Sequence, residues 1–417
     1  MASRVSPKES CVVSICDDES TLSAKSVNDE GSSVEATENA NPAKEELLQA
    51  LGDVYRPVLT LLKLSGVYFG DTFPYTEMQF SRPRRASYIS FCYCGIVISG
   101  LWFNVVKTVV SFLLEGDIFR HVMFICWCLL VALLGTTCLF VLPSKAYRPS
   151  RFEAFIRKVI SLDMVRPCLK RAKSRSRVYL IIFSLVVIVA IFGAFATDIV
   201  LKKNIGNAFP WNRWFIFRVT SLVFLTFACG VWLFPFALFC STCFILEALF
   251  DDLYKRMSPP YSNSLSIAAL RRQHDNLCQV VETANSFLSL LVLEIVTFSF
   301  PVICFNFYLA INSNTIDKDF AFVVSTLFWL LSSSAITGVV LIVGSKVSER
   351  IHTVEKILQT FPVASEEEGK LLIFMMNLKG DPKGLSIGGL SVITKSLSVT
   401  VVGLIISYAA VMLSLPS

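Results

Sequence analysis

At 417 residues the chain is 54% hydrophobic and only 17% charged, with a formal net charge of +6. Charged residues make up about a quarter of an ordinary soluble domain, and several apolar runs here reach the roughly 20 residues that a bilayer crossing needs. These numbers exclude a soluble globular protein, and the chain reads as an all-α, multi-pass membrane protein.

Residues 1–42, rich in Ser, Glu, Asp and Asn, cannot bury enough surface to order themselves and are expected to form a disordered cytoplasmic tail. Residues 43–415 then form the membrane domain. From Ala43 to Leu64, the spacing of Leu47, Leu48, Leu51, Val54, Val58, Leu61 and Leu62 predicts an amphipathic helix, lying at the interface or packed beneath the first span. Arg82, Arg84 and Arg85 mark the entry to that span. The first apolar run starts near Ala86, so no cleavable signal peptide is visible. Seven spans follow, at about 86–113, 119–142, 178–200, 215–245, 283–311, 320–343 and 390–415.

The connections between spans set the orientation. Ser144 to Arg177 holds eleven Lys or Arg residues against Glu153 and Asp163. Lys255, Arg256, Arg271 and Arg272 lie between the fourth and fifth spans, and Lys346, Arg350, Lys356, Lys370, Lys379 and Lys383 between the sixth and seventh. The alternate connections are short and poor in basic residues. Positive charge stays inside, which predicts a cytoplasmic N-terminus and an extracellular C-terminus.

The inner connections are themselves helical in pattern. Leu270, Leu277, Val280 and Val281 lead without a breaker into the fifth span. The sixth continues through Val347, Ile351, Val354, Ile357 and Leu358. Ser365-Glu366-Glu367-Glu368 starts a further helix, with Ser as cap and acids at the positive dipole end. Its apolar face is Leu371, Leu372, Phe374, Met375 and Leu378. Such faces must be buried on one another, which predicts a cytoplasmic anchor layer. Lys379 to Gly384 breaks the chain before the last span. No internal repeat is evident.

No catalytic motif appears: no GxSxG, HExxH or phosphate-binding loop. An enzyme is not expected, nor a cofactor, a metal or a nucleic-acid partner. The 13 cysteines fall mostly in apolar runs and read as small buried hydrophobes. Ionisable residues inside spans are Lys107, Arg218 and Glu294. The first two lie near outer helix ends, where snorkelling to the interface accounts for them. Glu294 either pairs with a basic residue or faces a water-filled path.

Aromatic residues gather at the outer ends of the third to sixth spans. Some, Trp211 and Trp214 first, fit an interfacial belt. An apolar cavity with a few polar handles is also the usual form of a small-molecule site. Trp214, Phe217, Asn306, Tyr308, Phe322, Thr326 and Trp329 are its expected lining.

The last span carries small and polar residues at helical spacing: Ser396, Thr400, Gly403, Ser407, Val411 and Ser414. Two roles fit this seam, close helix packing and facing water in a pore.

Two stretches resemble the arthropod gustatory receptors. Leu270-Arg271-Arg272-Gln273-His274-Asp275-Asn276-Leu277, followed by Val281-Glu282-Thr283-Ala284-Asn285-Ser286-Phe287, is similar to that family's approach to the fifth span. Ser407-Tyr408, five residues, then Ser414-Leu415 resembles a degenerate form of its C-terminal Thr-Tyr, five residues, Gln-Phe. Tyr408 matches outright, Ser407 replaces Thr, and Ser414 and Leu415 stand where Gln and Phe are usual. The resemblance implies a ligand-gated, non-selective cation channel in the plasma membrane, opened by a small-molecule tastant. The implied assembly is a homotetramer, or a heteromer with related receptors, surrounded by membrane lipid. It also implies that the last helix of each subunit lines the pore, with Ser407, Tyr408, Val411, Ser414 and Leu415 at or beside the gate. A metabotropic seven-span receptor would place the N-terminus outside, and a transporter would show saturable flux instead of channel steps.

Overall fold

The computed structural model describes residues 42–70, 86–115, 118–142, 150–162, 167–201, 215–257, 266–311, 320–359, 367–380 and 382–414. Nearly all of these are helical. In chain order the helices are α1 (Pro42–Leu64), α2 (Ala86–Glu115), α3 (Ile118–Val141), α4 (Arg151–Ile160) and α5 (Pro167–Leu201). They continue with α6 (Phe215–Met257), α7 (Ile267–Ile311), α8 (Phe320–Leu358), α9 (Glu368–Leu378) and α10 (Lys395–Ser414). Two short strands, β1 (Ser386–Ile387) and β2 (Ser391–Val392), form a hairpin just before α10.

Among the described residues, six helices are long and apolar enough to cross a membrane: α2, α3, α5, α6, α7 and α8. Helices suit that task because each satisfies its own backbone polar groups. α6, α7 and α8 run to 43, 45 and 39 residues, well beyond one bilayer thickness. Their extensions reach α1, α4 and α9, so the expected helical layer exists at one end of the bundle. Along α5, Ile181, Ile182, Leu185, Ile188, Val189 and Phe192 are exposed, an apolar face for lipid to cover.

α1 forms where its spacing predicts, but it packs on α6 and α5 instead of beneath the first span. Tyr55 is fully buried there and hydrogen-bonds Thr242 at 3.0 Å. Its ring meets Phe152 edge-on at 5.1 Å, and Phe152 meets Phe287 at 5.6 Å, so α1, α4, α6 and α7 share one aromatic junction. Above it, Glu247 and Asp251 of α6 hold basic residues from two helices. Arg175 lies 2.8 Å from Glu247, and Arg350 lies 3.7 Å from Glu247 and 3.3 Å from Asp251.

Several sequence boundaries are corrected. The stretch read as a basic loop contains α4, capped by Ser150, whose Oγ accepts the Glu153 amide at 2.9 Å. α5 begins at Pro167, not near 178, because its first turns pack in the layer. The last helix begins at Lys395 instead of 390. Gly388 and Gly389 take positive φ, 60° and 77°, which turns the chain into the hairpin. The N-cap of α9 is Glu367 without a side-chain bond, and Leu372 is exposed instead of joining the apolar face. Ser365 lies outside the described residues, as do Arg82, Arg84 and Arg85 and the tail before Pro42.

Candidate ligand cavity and pore helix

Three indoles from three helices meet in the middle of the bundle. Trp127 of α3 lies 6.4 Å from Trp232 of α6 and 5.2 Å from Trp329 of α8, and Trp232 and Trp329 are 5.1 Å apart. Phe124 stacks on Trp127 at 5.7 Å. Edge-on and tilted aromatic contacts of this kind add about 0.5–1.5 kcal/mol beyond area burial.

Beside this cluster, α2, α3 and α6 enclose a cavity of about 30 Å³, roughly the volume of one water. Leu101, Phe124, Trp127, Val131, Leu225 and Ala228 give it apolar walls, and Asn104, Lys107, Cys128 and Ser221 give it polar ones. Lys107 is only 3% exposed and donates to Ser221 Oγ at 2.5 Å. Snorkelling is therefore overturned for this lysine. It falls on the buried stripe of α2 with Val97, Leu101, Thr108 and Ser111, which points into the bundle.

Of the seven sequence-predicted pocket residues, none of the five with described side chains lines this cavity. Trp329 reaches its wall through Trp127. Tyr308 and Thr326 are buried in the bundle, and Phe217 is half-buried on α6. Asn306, 1% exposed, donates Nδ2 to Val302 O at 2.8 Å, while its Oδ1 has no hydrogen-bond partner among the described residues. Phe322 belongs to α8, with its side chain outside the description, and Trp214 lies outside the described residues altogether. Sequence reasoning missed Asn104, Trp127 and Ser221. A signal was present: Asn104, Lys107, Thr108 and Ser111 recur on one side of an otherwise apolar helix.

Glu294 is 7% exposed on α7, and its Oε1 accepts from Thr137 Oγ1 of α3 at 2.5 Å. Its Oε2 has no hydrogen-bond partner among the described residues. Among the described residues no cation pairs with it.

α10 packs on α7 and α8 with Leu397, Val401, Ile405 and Ala409, and Tyr408 meets Phe300 edge-on at 5.1 Å. At about 100° per residue, the seam lies roughly 150° around the helix from that packed face. Ser396, Thr400, Gly403, Ser407, Val411 and Ser414 are all exposed. Thr400, Ser407 and Ser414 donate back to carbonyls one turn earlier, at 3.1, 2.9 and 2.7 Å. Their oxygens are left free to accept, which suits a weakly polar surface. Leu415 lies outside the described residues.

The start of α10 is tied to α7. Gly388 N–H donates to Ser289 O at 2.9 Å, and Asn285 Oδ1 accepts from both Ser386 N–H and Ser386 Oγ, at 2.8 and 3.0 Å. Thr394 caps the helix by accepting from Leu397 N–H at 3.2 Å, and Lys395 pairs with Glu349 of α8 at 2.7 Å.

The 7tm chemosensory receptor family matches residues 55–413. The chain belongs to that family. Its fold is shared with the insect olfactory receptor OR5 from Machilis hrabei, at a TM-score of 0.67 and 11% identity over 86% of this receptor and 97% of that chain. OR5 in complex with eugenol matches at 0.69 and 11% identity, over 89% of this receptor and 98% of that chain. No curated protein matches by sequence. The receptor is thus a multi-pass membrane protein whose chain has diverged far while keeping the helix arrangement.

Proposed function

We propose that the receptor is a ligand-gated, non-selective cation channel of the gustatory type, in which α10 of four subunits lines the pore. The observation that carries this reading is the seam of α10, left exposed opposite the face that packs on α7 and α8. A helix in lipid has no use for a continuous small and polar face, whereas a water-filled axis or a neighbouring copy of the same helix does. Ser407, Tyr408, Val411, Ser414 and Leu415 stand at or beside the gate. α10 is then the seventh span, and the basic connections place the N-terminus in the cytoplasm of a plasma-membrane protein. The protein works as a homotetramer or with related receptors.

The ligand is a small molecule, as eugenol is for OR5. It binds among the outer halves of the helices, with Trp214, Phe217, Asn306, Tyr308, Phe322, Thr326 and Trp329 as its proposed lining. A ligand that binds the open arrangement better shifts the population towards it. The hairpin held on α7 carries that shift to α10, and widening a ring of apolar side chains lets it wet and conduct.

Expression in a cell without related receptors, with currents recorded against a panel of small molecules, tests the channel reading. Step-like cation currents evoked by some compound are expected. Saturable flux without channel steps contradicts it, and an epitope before Ala43 that is stained in intact cells contradicts the orientation.

A further inference from the structure

We infer that the cavity between α2, α3 and α6 binds the carboxylate of a small organic acid. The decisive group is Lys107. Burying an ammonium costs far more than burying a neutral polar group unless it is paired. Yet its side chain, 3% exposed, meets one hydroxyl, that of Ser221, and among the described residues no carboxylate faces it. An ammonium has three donors, so two remain unused. Trp127, another wall of the same cavity and 5% exposed, keeps its indole N–H without a hydrogen-bond partner among the described residues.

The cavity therefore offers unmet donors and one uncompensated positive charge. A neutral acceptor would satisfy the donors and leave the charge. A carboxylate satisfies both, through charge-assisted bonds about twice as strong as neutral ones. The remaining walls, Leu101, Phe124 and Leu225 among them, suit a short apolar body behind the acid group. Lys107 stands eight residues before Glu115 at the end of α2, roughly 12 Å along the helix, so the acid group sits inside the bundle and not at its rim.

At about 30 Å³ the cavity has room for one water. An organic acid fits only when α2, α3 and α6 separate slightly, which is the differential affinity that a ligand needs to shift a population. The consequence for current rests on the channel reading above; the binding itself does not.

The test uses the purified full-length receptor and its thermal unfolding midpoint. Acetate, butyrate and benzoate are titrated beside acetamide, butyramide and benzamide at constant ionic strength. At least one acid should raise the midpoint while its amide does not. In Lys107→Met the acid's half-maximal concentration should rise about tenfold or more, and in Trp127→Phe several-fold. Equal shifts by acid and amide, no shift by any acid, or a K107M response equal to wild type overturns the site. If K107M does not fold, the acid–amide contrast in wild type and its weakening in W127F decide. Acid binding without current would leave the site standing and overturn only its coupling to the pore. Currents evoked by neutral compounds, with no acid shift, would overturn this site alone.

Discussion

Gly388 shows how tightly one residue is specified. Its φ of 60° lies in the left-handed region, its N–H bonds Ser289 O, and an added Cβ would stand 2.8 Å from Leu293 Cδ2. Gly388→Ala should lower stability by about 1–2 kcal/mol from the backbone alone, read as a lower unfolding midpoint. A variant melting with wild type would mean that the hairpin is not held as described. Glu294 gives a second case. Thr137 is its hydrogen-bond partner, so Thr137→Val, nearly isosteric, leaves a buried carboxyl unsatisfied and should cost about 1–3 kcal/mol. Unchanged melting of T137V would contradict a structural role for that bond.

At the scale of elements, long apolar runs were legible because a bilayer demands length and composition that nothing else imitates. The extensions of α7 and α8 were legible too, since Leu270, Leu277, Val347 and Ile351 keep helical spacing past the apolar core of each span. α4 was not. The eleven basic residues of Ser144 to Arg177 hid the Ser150–Glu153 cap and the stripe Phe152, Phe155, Ile156 and Val159, all four of which are buried. Phe152→Ala should therefore cost about 3–5 kcal/mol, far more than a loop residue, with the loss seen in unfolding midpoint or in folded yield. Lys107 was noticed and misread. Its position near a helix end suggested the interface, but which way a side chain faces depends on partners such as Ser221 on α6, and pairing between distant helices is not written in local spacing. Trp127 met the same limit: Phe124, which stacks on it, stands three residues before, but the meeting with Trp232 and Trp329 depends on how distant helices pair.

For the whole molecule, the pattern of exposure separates three kinds of surface. α5 presents branched aliphatic residues to lipid. α1, α4 and α9 cover the extended ends of α6, α7 and α8 with an aromatic and charged layer. α10 carries a continuous small and polar face away from the helices it packs on, and in the proposed channel that face is where four copies would enclose water. We propose that this seam lines an ion path. Ligand-free current in cells expressing Val411→Thr, compared with Val402→Thr, tests it most directly. Both changes are nearly isosteric, both residues are exposed, and they lie on different sides of α10. A ligand-free cation current is expected in V411T and none above wild type in V402T, at equal surface expression. Equal basal currents in the two variants would contradict it.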